Sequence, residues 1–295
     1  MSSTSMGTGG GERIHGGIPD GIPEGKAGHW RARPASAEDL PALRGLDGAD
    51  LAPPALADTV WVAEPAEGVD SSAPGAAGPA LATLRLRHQI GQPVPRAWFR
   101  LGWAVHASAE LGLYRRQRTL LLGHDLTGAS ELTGLGLHPL LPAAQALPAW
   151  TVLVQAALLA LHASAAGQPP DRLATDPHGH PLDSARVPCI VELPGLRDAQ
   201  GLAPVWQGLG RHFHAQDLDA ARRQHGPDWA HHLASLLPRH VLYASLLPAA
   251  TQAALGQMLA AAQPLAQALA QLGFEPRGHI GITDGGTVLE RWQPA

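Results

Sequence analysis

The stretch GHDLTGASEL, Gly123 to Leu132, gathers His124, Asp125, Thr127, Ser130 and Glu131 between two apolar runs. A histidine, a serine and two carboxylates at such density are the groups used for proton transfer and nucleophilic attack. A Ser/His/Asp triad is excluded, because triad members come from separate elements, and TGASE lacks the second glycine of a nucleophile elbow. A second polar cluster, VHASAEL, offers His106 and Ser108. Sixteen histidines raise the question of a metal. His212 and His214 of HFH would share a face only on a strand, His178 and His180 of HGH fall in a loop, and His231 and His232 occupy helix positions that point apart. No cysteine or carboxylate set completes a tetrahedral site, so no metal is expected. The early GTGGG follows no strand and precedes no helix, and is therefore not a phosphate loop.

Composition narrows the partners. Formal net charge is -4 with no long basic run, so nucleic acid is not expected; the cluster YRRQR, Tyr114 to Arg118, reads as a solvated face. Cys189 is the only cysteine, which rules out an intramolecular disulfide and fits a reducing cytoplasm. Residues 1–29 are glycine-rich without an apolar block, and read as a disordered tail rather than a secretory signal. The longest apolar segment, Trp150 to Ala166, carries Gln155 and His162 and is short for a bilayer, so it reads as a buried or amphipathic helix and not a membrane span. The 295 residues allow one large domain over 30–295, or two lobes, 30–200 and 201–295.

These groups need a framework. Trp30 to Arg33 reads as extended chain entering a helix capped by Ser36, with Glu38 and Asp39 in the first turn and Leu40, Leu43 and Leu46 at helical spacing. DTVWVAEP and LATLRLRHQI alternate like paired strands joined by the loop DSSAPGAAGPA, with Leu84 and Leu86 on one face and Arg85 and Arg87 on the other. AWFRLGWAVHA, RTLLLGHD and ELTGLGLHP are further strands, LLPAAQALPAW reads as a loop, and the Trp150 helix follows. GQPPDRLATDPHGHPLDSARVP is a loop. PCIVELPG is a short buried strand, APVWQGLGRHF a helix ending at Gly210, and DWAHHLASLLP another helix. AATQAALGQMLAAAQPLAQALAQLGF reads as helical with a break at Pro264, and HIGITDGGTVLERW as a hairpin turning on Asp284-Gly285-Gly286. The sum is an α/β (α+β) chain with a mixed, largely antiparallel sheet flanked by helices.

Several of these blocks carry a resemblance. VHASAELGLY followed by HDLTGASEL resembles the arginine N-succinyltransferase family, whose members carry V-H-A-S-x-E-L and then H/D-x-T-G-x-S-x-L before a strand. APVWQGLGRHF, SLLPRHVLYASLLP and HIGITDGGTVLE resemble that family's later blocks in the same order, over roughly Trp30 to Glu290. The resemblance implies an N-acyltransferase (GNAT-like) fold and transfer of a succinyl group from succinyl-CoA, a co-substrate rather than a resident cofactor, to the α-amino group of arginine, in some relatives ornithine. It also implies that Leu135, on the central strand ELTGLGLHP, falls at the succinyl-CoA position and acts through its backbone, and that His106, Ser108, Asp125 and Glu131 are the polar groups placed to contact amine or guanidinium.

The chain departs from the family pattern at three points. Leu259 stands where the family has its proton-donating histidine; His240 in PRHVLY is a candidate substitute. LLPAAQALPAW lacks glycine, lysine and arginine, and Pro142 and Pro148 each remove an N–H that could meet a phosphate. A short LAPPALA replaces a longer segment that helps close the family's substrate pocket. Two further readings follow: a catalytically eroded partner subunit of a heteromeric succinyltransferase, working with a paralogous subunit or as a homo-oligomer, and an acyltransferase with an altered acyl donor or amine.

Overall fold

The computed structural model describes residues 30–44, 46, 58–66, 79–92, 94–166, 188–226 and 229–292. The expected tail 1–29, most of the DSSAPGAAGPA loop, and GQPPDRLATDPHGHPLDSARVP with His178 and His180 lie almost wholly outside the described residues.

Ten strands form a single sheet: β1 (Trp30–Pro34), β2 (Thr59–Pro65), β3 (Ala82–Arg87), β4 (Trp98–Ser108), β5 (Leu113–Gly123), β6 (Ser130–Leu137), β7 (Cys189–Glu192), β8 (Leu242–Tyr243), β9 (Glu275–Ile280) and β10 (Thr287–Arg291). Their order is β1-β2-β3-β6-β7-β10-β9-β4-β5-β8. Every ladder is antiparallel except β6 against β7. The chain runs from β3 to the far side of the sheet for the β4–β5 hairpin and returns to lay β6 beside β3. Both 30–200 and 201–295 contribute strands, with β9 and β10 set between β7 and β4.

Among the described residues seven α-helices accompany the sheet: α1 (Leu40–Leu43), α2 (Ala143–Ala166), α3 (Pro204–Gly208), α4 (Leu218–His225), α5 (Trp229–Leu236), α6 (Ala249–Ala254) and α7 (Gln263–Gln271). Alternation places the core as the residue pattern dictates. Leu84 and Leu86 of β3, Leu132 of β6, Val191 of β7 and Leu289 of β10 are buried with Ala149, Trp150, Leu153 and Val154 of α2 and Leu265 and Leu269 of α7. A second core joins Phe99, Leu120 and Ile280 to Trp206, Leu218, Trp229 and Leu233 of the helices α3 to α5. Arg85 departs from the expected pattern, since it is buried; the Asp58 carboxylate lies 3.9 Å from its Nη1 and lets the charge stay inside.

Three boundaries differ from the sequence reading. LLPAAQALPAW is helix from Ala143 onward, with Pro148 inside α2. An interior proline costs about 3 kcal/mol, here offset by burial of Ala146, Ala149, Trp150 and Leu153 against the sheet. Pro264 does not break a helix; it occupies the first turn of α7, where its missing N–H has no intrahelical partner to lose. The break lies earlier, at Gly256, whose φ of 74° is left-handed. Finally, Gly210 opens a 3-10 turn, Gly210–His212, instead of ending a helix. His212 therefore lies on that turn and His214 beyond it, not on a strand.

Among the described residues one helix, over Ala143–Ala163, is long and apolar enough to cross a membrane by length and composition, with a mean hydropathy of 1.6. It packs on β1, β2, β3 and α7, the position of a core helix in a folded domain.

Candidate active site

The motif loop does two jobs. Leu126 and Ala129 are buried beside Trp98, Ile190 and Val288, and Gly128, with φ 86°, donates its N–H to Ile90 at 2.8 Å. This inward face fixes the loop, while His124 and Asp125 stay exposed.

Directly after the loop β6 begins, and its pairing with β7 covers only Ser130↔Cys189 and Glu131↔Ile190. Beyond Glu131 the two parallel strands part. On the other side, Thr133 pairs with Arg85 and Gly136 with Thr83, so Gly134 and Leu135 together stand opposite Leu84, a one-residue bulge. Gly134 takes φ 57° to make it. A gap between two strands, lined on one side by a bulged backbone, is a place where an extended ligand can meet main-chain N–H groups.

At this opening the sheet carries a charge network. Arg96 Nη1 donates to Glu131 Oε2 at 2.6 Å and Nη2 to Glu192 Oε2 at 3.1 Å. His124 of the loop and His231 of α5 hold the Arg96 segment by ring contacts to the carbonyls of Arg96 and Pro95. Glu131 is buried. Glu192 keeps 26% of its side chain open, facing a cavity of about 170 Å³ lined by Arg96, Arg222, Trp229, Ile282 and Thr283. Burial lifts the Glu192 carboxyl above its ordinary value; the positive charge of Arg96 opposes this and the nearby Asp284 and Glu131 add to it.

A second chain of groups crosses β10, β9 and the loop. The His279 ring contacts Glu290 Oε1 through Nδ1 at 2.6 Å and Asp125 Oδ2 through Nε2 at 3.4 Å, and Arg100 Nη1 lies 3.4 Å from the same Asp125 oxygen. Burial alone would lower the His279 pKa; the hydrogen bond and charge of Glu290, with those of Asp125, outweigh it and raise it.

The residues singled out from sequence separate into groups. Glu131 and Leu135 lie at the opening, and Asp125 is tied to His279 of β9. Leu259 donates its N–H to Pro194, two residues past β7, at 2.8 Å. His106 and Ser108 lie at the far end of the eleven-residue β4–β5 ribbon, where His106 is exposed and contacts the Tyr243 ring at 5.6 Å. Ser108 binds Glu110, and His240 is exposed just before β8. Among the described residues no group of three or more His, Cys, Asp or Glu could hold a metal ion. Arg96, Glu192, Arg222, His279 and Glu290 escaped the sequence reading. Glu192 had a local signal, as the lone charge closing the apolar strand CIV.

A bulged central strand parting from its parallel neighbour, within an otherwise antiparallel sheet backed by helices, is the framework of an N-acyltransferase-like fold. The comparisons agree. A family model described as arginine N-succinyltransferase beta subunit matches residues 76–167 and 184–293. The chain belongs to the arginine N-succinyltransferase family. Arginine N-succinyltransferase from Salmonella arizonae is 30% identical over 207 residues, covering 68% of this chain and 53% of that one, and the Salmonella newport protein of the same name is 31% identical over the same shares. The chain thus spans about half the length of these curated relatives. The structure of arginine/ornithine succinyltransferase subunit AI from Pseudomonas aeruginosa matches with a TM-score of 0.60 at 24% identity, over 90% of this chain and 77% of that one, a likeness of fold.

Proposed function

We propose that this protein transfers a succinyl group from succinyl-CoA to the α-amino group of arginine or ornithine in the cytoplasm. The observation that carries the reading is the opening of β6 from β7 after Glu131, with the bulge at Gly134 and Leu135 on its edge, in a chain of this family. The pantetheine arm lies in the opening, and the backbone at Leu135 meets the thioester oxygen as negative charge develops there. The pyrophosphate is met by the N–H groups at the start of α2, which follows β6 and replaces a glycine-rich loop in this task. Asp125, 43% exposed, is placed to receive a guanidinium or ammonium, and Glu131 acts by holding Arg96. No permanently bound cofactor is needed for this chemistry.

Assembly with a second copy or a paralogous subunit is part of the proposal. Trp103, Val105, Leu113 and Tyr114 are exposed on the part of the β4–β5 ribbon that extends beyond its pairing with β9 and β8, and the Pseudomonas aeruginosa relative is named as a subunit. On that ribbon His106 and Ser108 stand to reach a neighbouring subunit's substrate. Purified protein mixed with succinyl-CoA and arginine or ornithine should release free thiol, read with a chromogenic thiol reagent. No release above background at micromolar protein, with either amine, overturns the reading.

A further inference from the structure

Glu192 ends β7 after three buried residues, Cys189, Ile190 and Val191. The last β6–β7 pair is Glu131↔Ile190, so Glu192 stands two residues past the point where the strands part, on the same face as Glu131. Its carboxylate has a definite seat. One oxygen accepts from Arg96 at 3.1 Å; the other lies against Gly281, where a Cβ would come within 2.4 Å of it. The cavity it faces takes a guanidinium from each of two further elements, Arg96 before β4 and Arg222 on α4. Arg222 is exposed at the rim and donates to Thr283 Oγ1 at 3.2 Å. The charged groups around Glu192 are therefore Arg96, Glu131 on β6, Arg222 on α4 and Asp284 in the β9–β10 turn. The cavity thus offers a carboxylate beside cationic groups, the complement of an ammonium that carries its own carboxylate.

We propose that this cavity seats the α-amino end of the acceptor amino acid and that Glu192 is the general base that takes the proton from its ammonium group. The assignment rests on the acyl-transfer reading above. The ammonium passes one N–H proton to the Glu192 carboxylate, leaving a neutral amine. The amine lone pair attacks the thioester carbon, forming the C–N bond, and collapse of the tetrahedral intermediate breaks the C–S bond. The nitrogen sheds its second proton as the departing thiolate gains one, which the Glu192 carboxylic acid can supply, taking up the nitrogen's proton in exchange before releasing it to solvent. The sum is amide, free thiol and one proton. A half-buried carboxyl that binds its proton more tightly than usual suits this task, since a base works best with a pKa near the operating pH. Leu259, which the resemblance aligns with the family's histidine, is bonded through its backbone N–H to Pro194, two residues past Glu192.

The test compares Glu192→Gln and Glu192→Asp with the wild-type protein in pH-dependent thiol release from succinyl-CoA and arginine. Glu192→Gln should lower kcat/KM for arginine at least a hundredfold, remove the acidic limb of the profile and leave the KM for succinyl-CoA and the melting temperature at or above wild type; Glu192→Asp should fall between. Wild-type rate and an unchanged acidic limb in Glu192→Gln overturn the proposal while leaving acyl transfer standing. Failure of both variants to fold makes Glu192 a framework group and also overturns it. Absence of thiol release from the wild-type protein removes the acyl-transfer reading, and this role with it.

Discussion

Leu259 donates its backbone N–H to the carbonyl of Pro194 at 2.8 Å, which docks the position that the sequence resemblance aligns with a proton-donating histidine onto the extension of β7, two residues beyond Glu192. The side chain there is half-buried and carries no titratable group. Leu259→His supplies the residue that the resemblance implies on a backbone that is already positioned. The expected outcome is an increase in kcat of about tenfold, less than the roughly hundredfold or more of a full general acid because Glu192 already supplies a proton, with a melting temperature close to wild type. An unchanged kcat would show that the reaction has no use for a second donor at this position.

Arg96 neutralises two carboxylates that the fold brings together from β6 and β7. Arg96→Met should destabilise the protein by about 3 kcal/mol at pH 7, the cost of leaving buried charges unpaired, as read by urea denaturation. The deficit should shrink as the pH falls, because burial holds the Glu192 carboxyl above its ordinary value and protonation removes its orphaned charge.

His279 gives a pH signature. Its folded-state pKa is raised by Glu290 and Asp125 against the effect of burial, so its extra stabilisation is fully present below the unfolded value near 6.5 and is lost as pH rises through the higher folded value. His279→Gln should therefore lower the melting temperature most at pH 6 and progressively less at pH 8 and pH 9. Glu192 has the opposite consequence for a substitution. A carboxyl whose pKa is raised by burial contributes stability below about 4.5 that is lost as pH rises through the folded value, so Glu192→Gln should be neutral at pH 4 and stabilising at pH 7.

The β9–β10 turn tests the backbone fit behind the cavity. A Cβ on Gly286 would sit 2.0 Å from the Leu193 carbonyl oxygen, and one on Gly195 would sit 2.3 Å from that of Asp284. Gly286→Ala should cost several kcal/mol, since two backbones must separate. Gly112→Ala, in the β4–β5 turn at φ 59° with nothing within 4 Å, should cost only about 1 kcal/mol for its left-handed conformation. Thermal melts of the two variants separate these effects.

The strands were legible because a period of two is local: Leu84 and Leu86 announce their face without knowledge of what covers it. The central strand ELTGLGLHP and the Asp284-Gly285-Gly286 turn were readable for the same reason. Other features depend on partners far along the chain. Arg85 is inside because of Asp58, and Arg96 and Glu192, 96 residues apart, meet only in the folded chain, where β10 and β9 stand between β7 and β4. His106 and Ser108 read as neighbours of Glu131 from sequence, but the β4–β5 hairpin crosses to the far side of the sheet and carries them away. The short polar helix α4, capped by Asp217, buries only Leu218 and Ala221, an apolar stripe too short to reveal a helix. Pro264 misled for a related reason, because its effect depends on whether it stands inside a helix or in its first turn.

The most direct test of the account is the identity of the product. Incubation of the purified protein with arginine or ornithine and succinyl-CoA labelled with carbon-13 in the succinyl group should give an NMR correlation between the labelled carbonyl and the α-nitrogen-bound proton of the amino acid, with free thiol in equal amount. Labelled succinate with no amide, or no turnover of either substrate at micromolar protein, would contradict it.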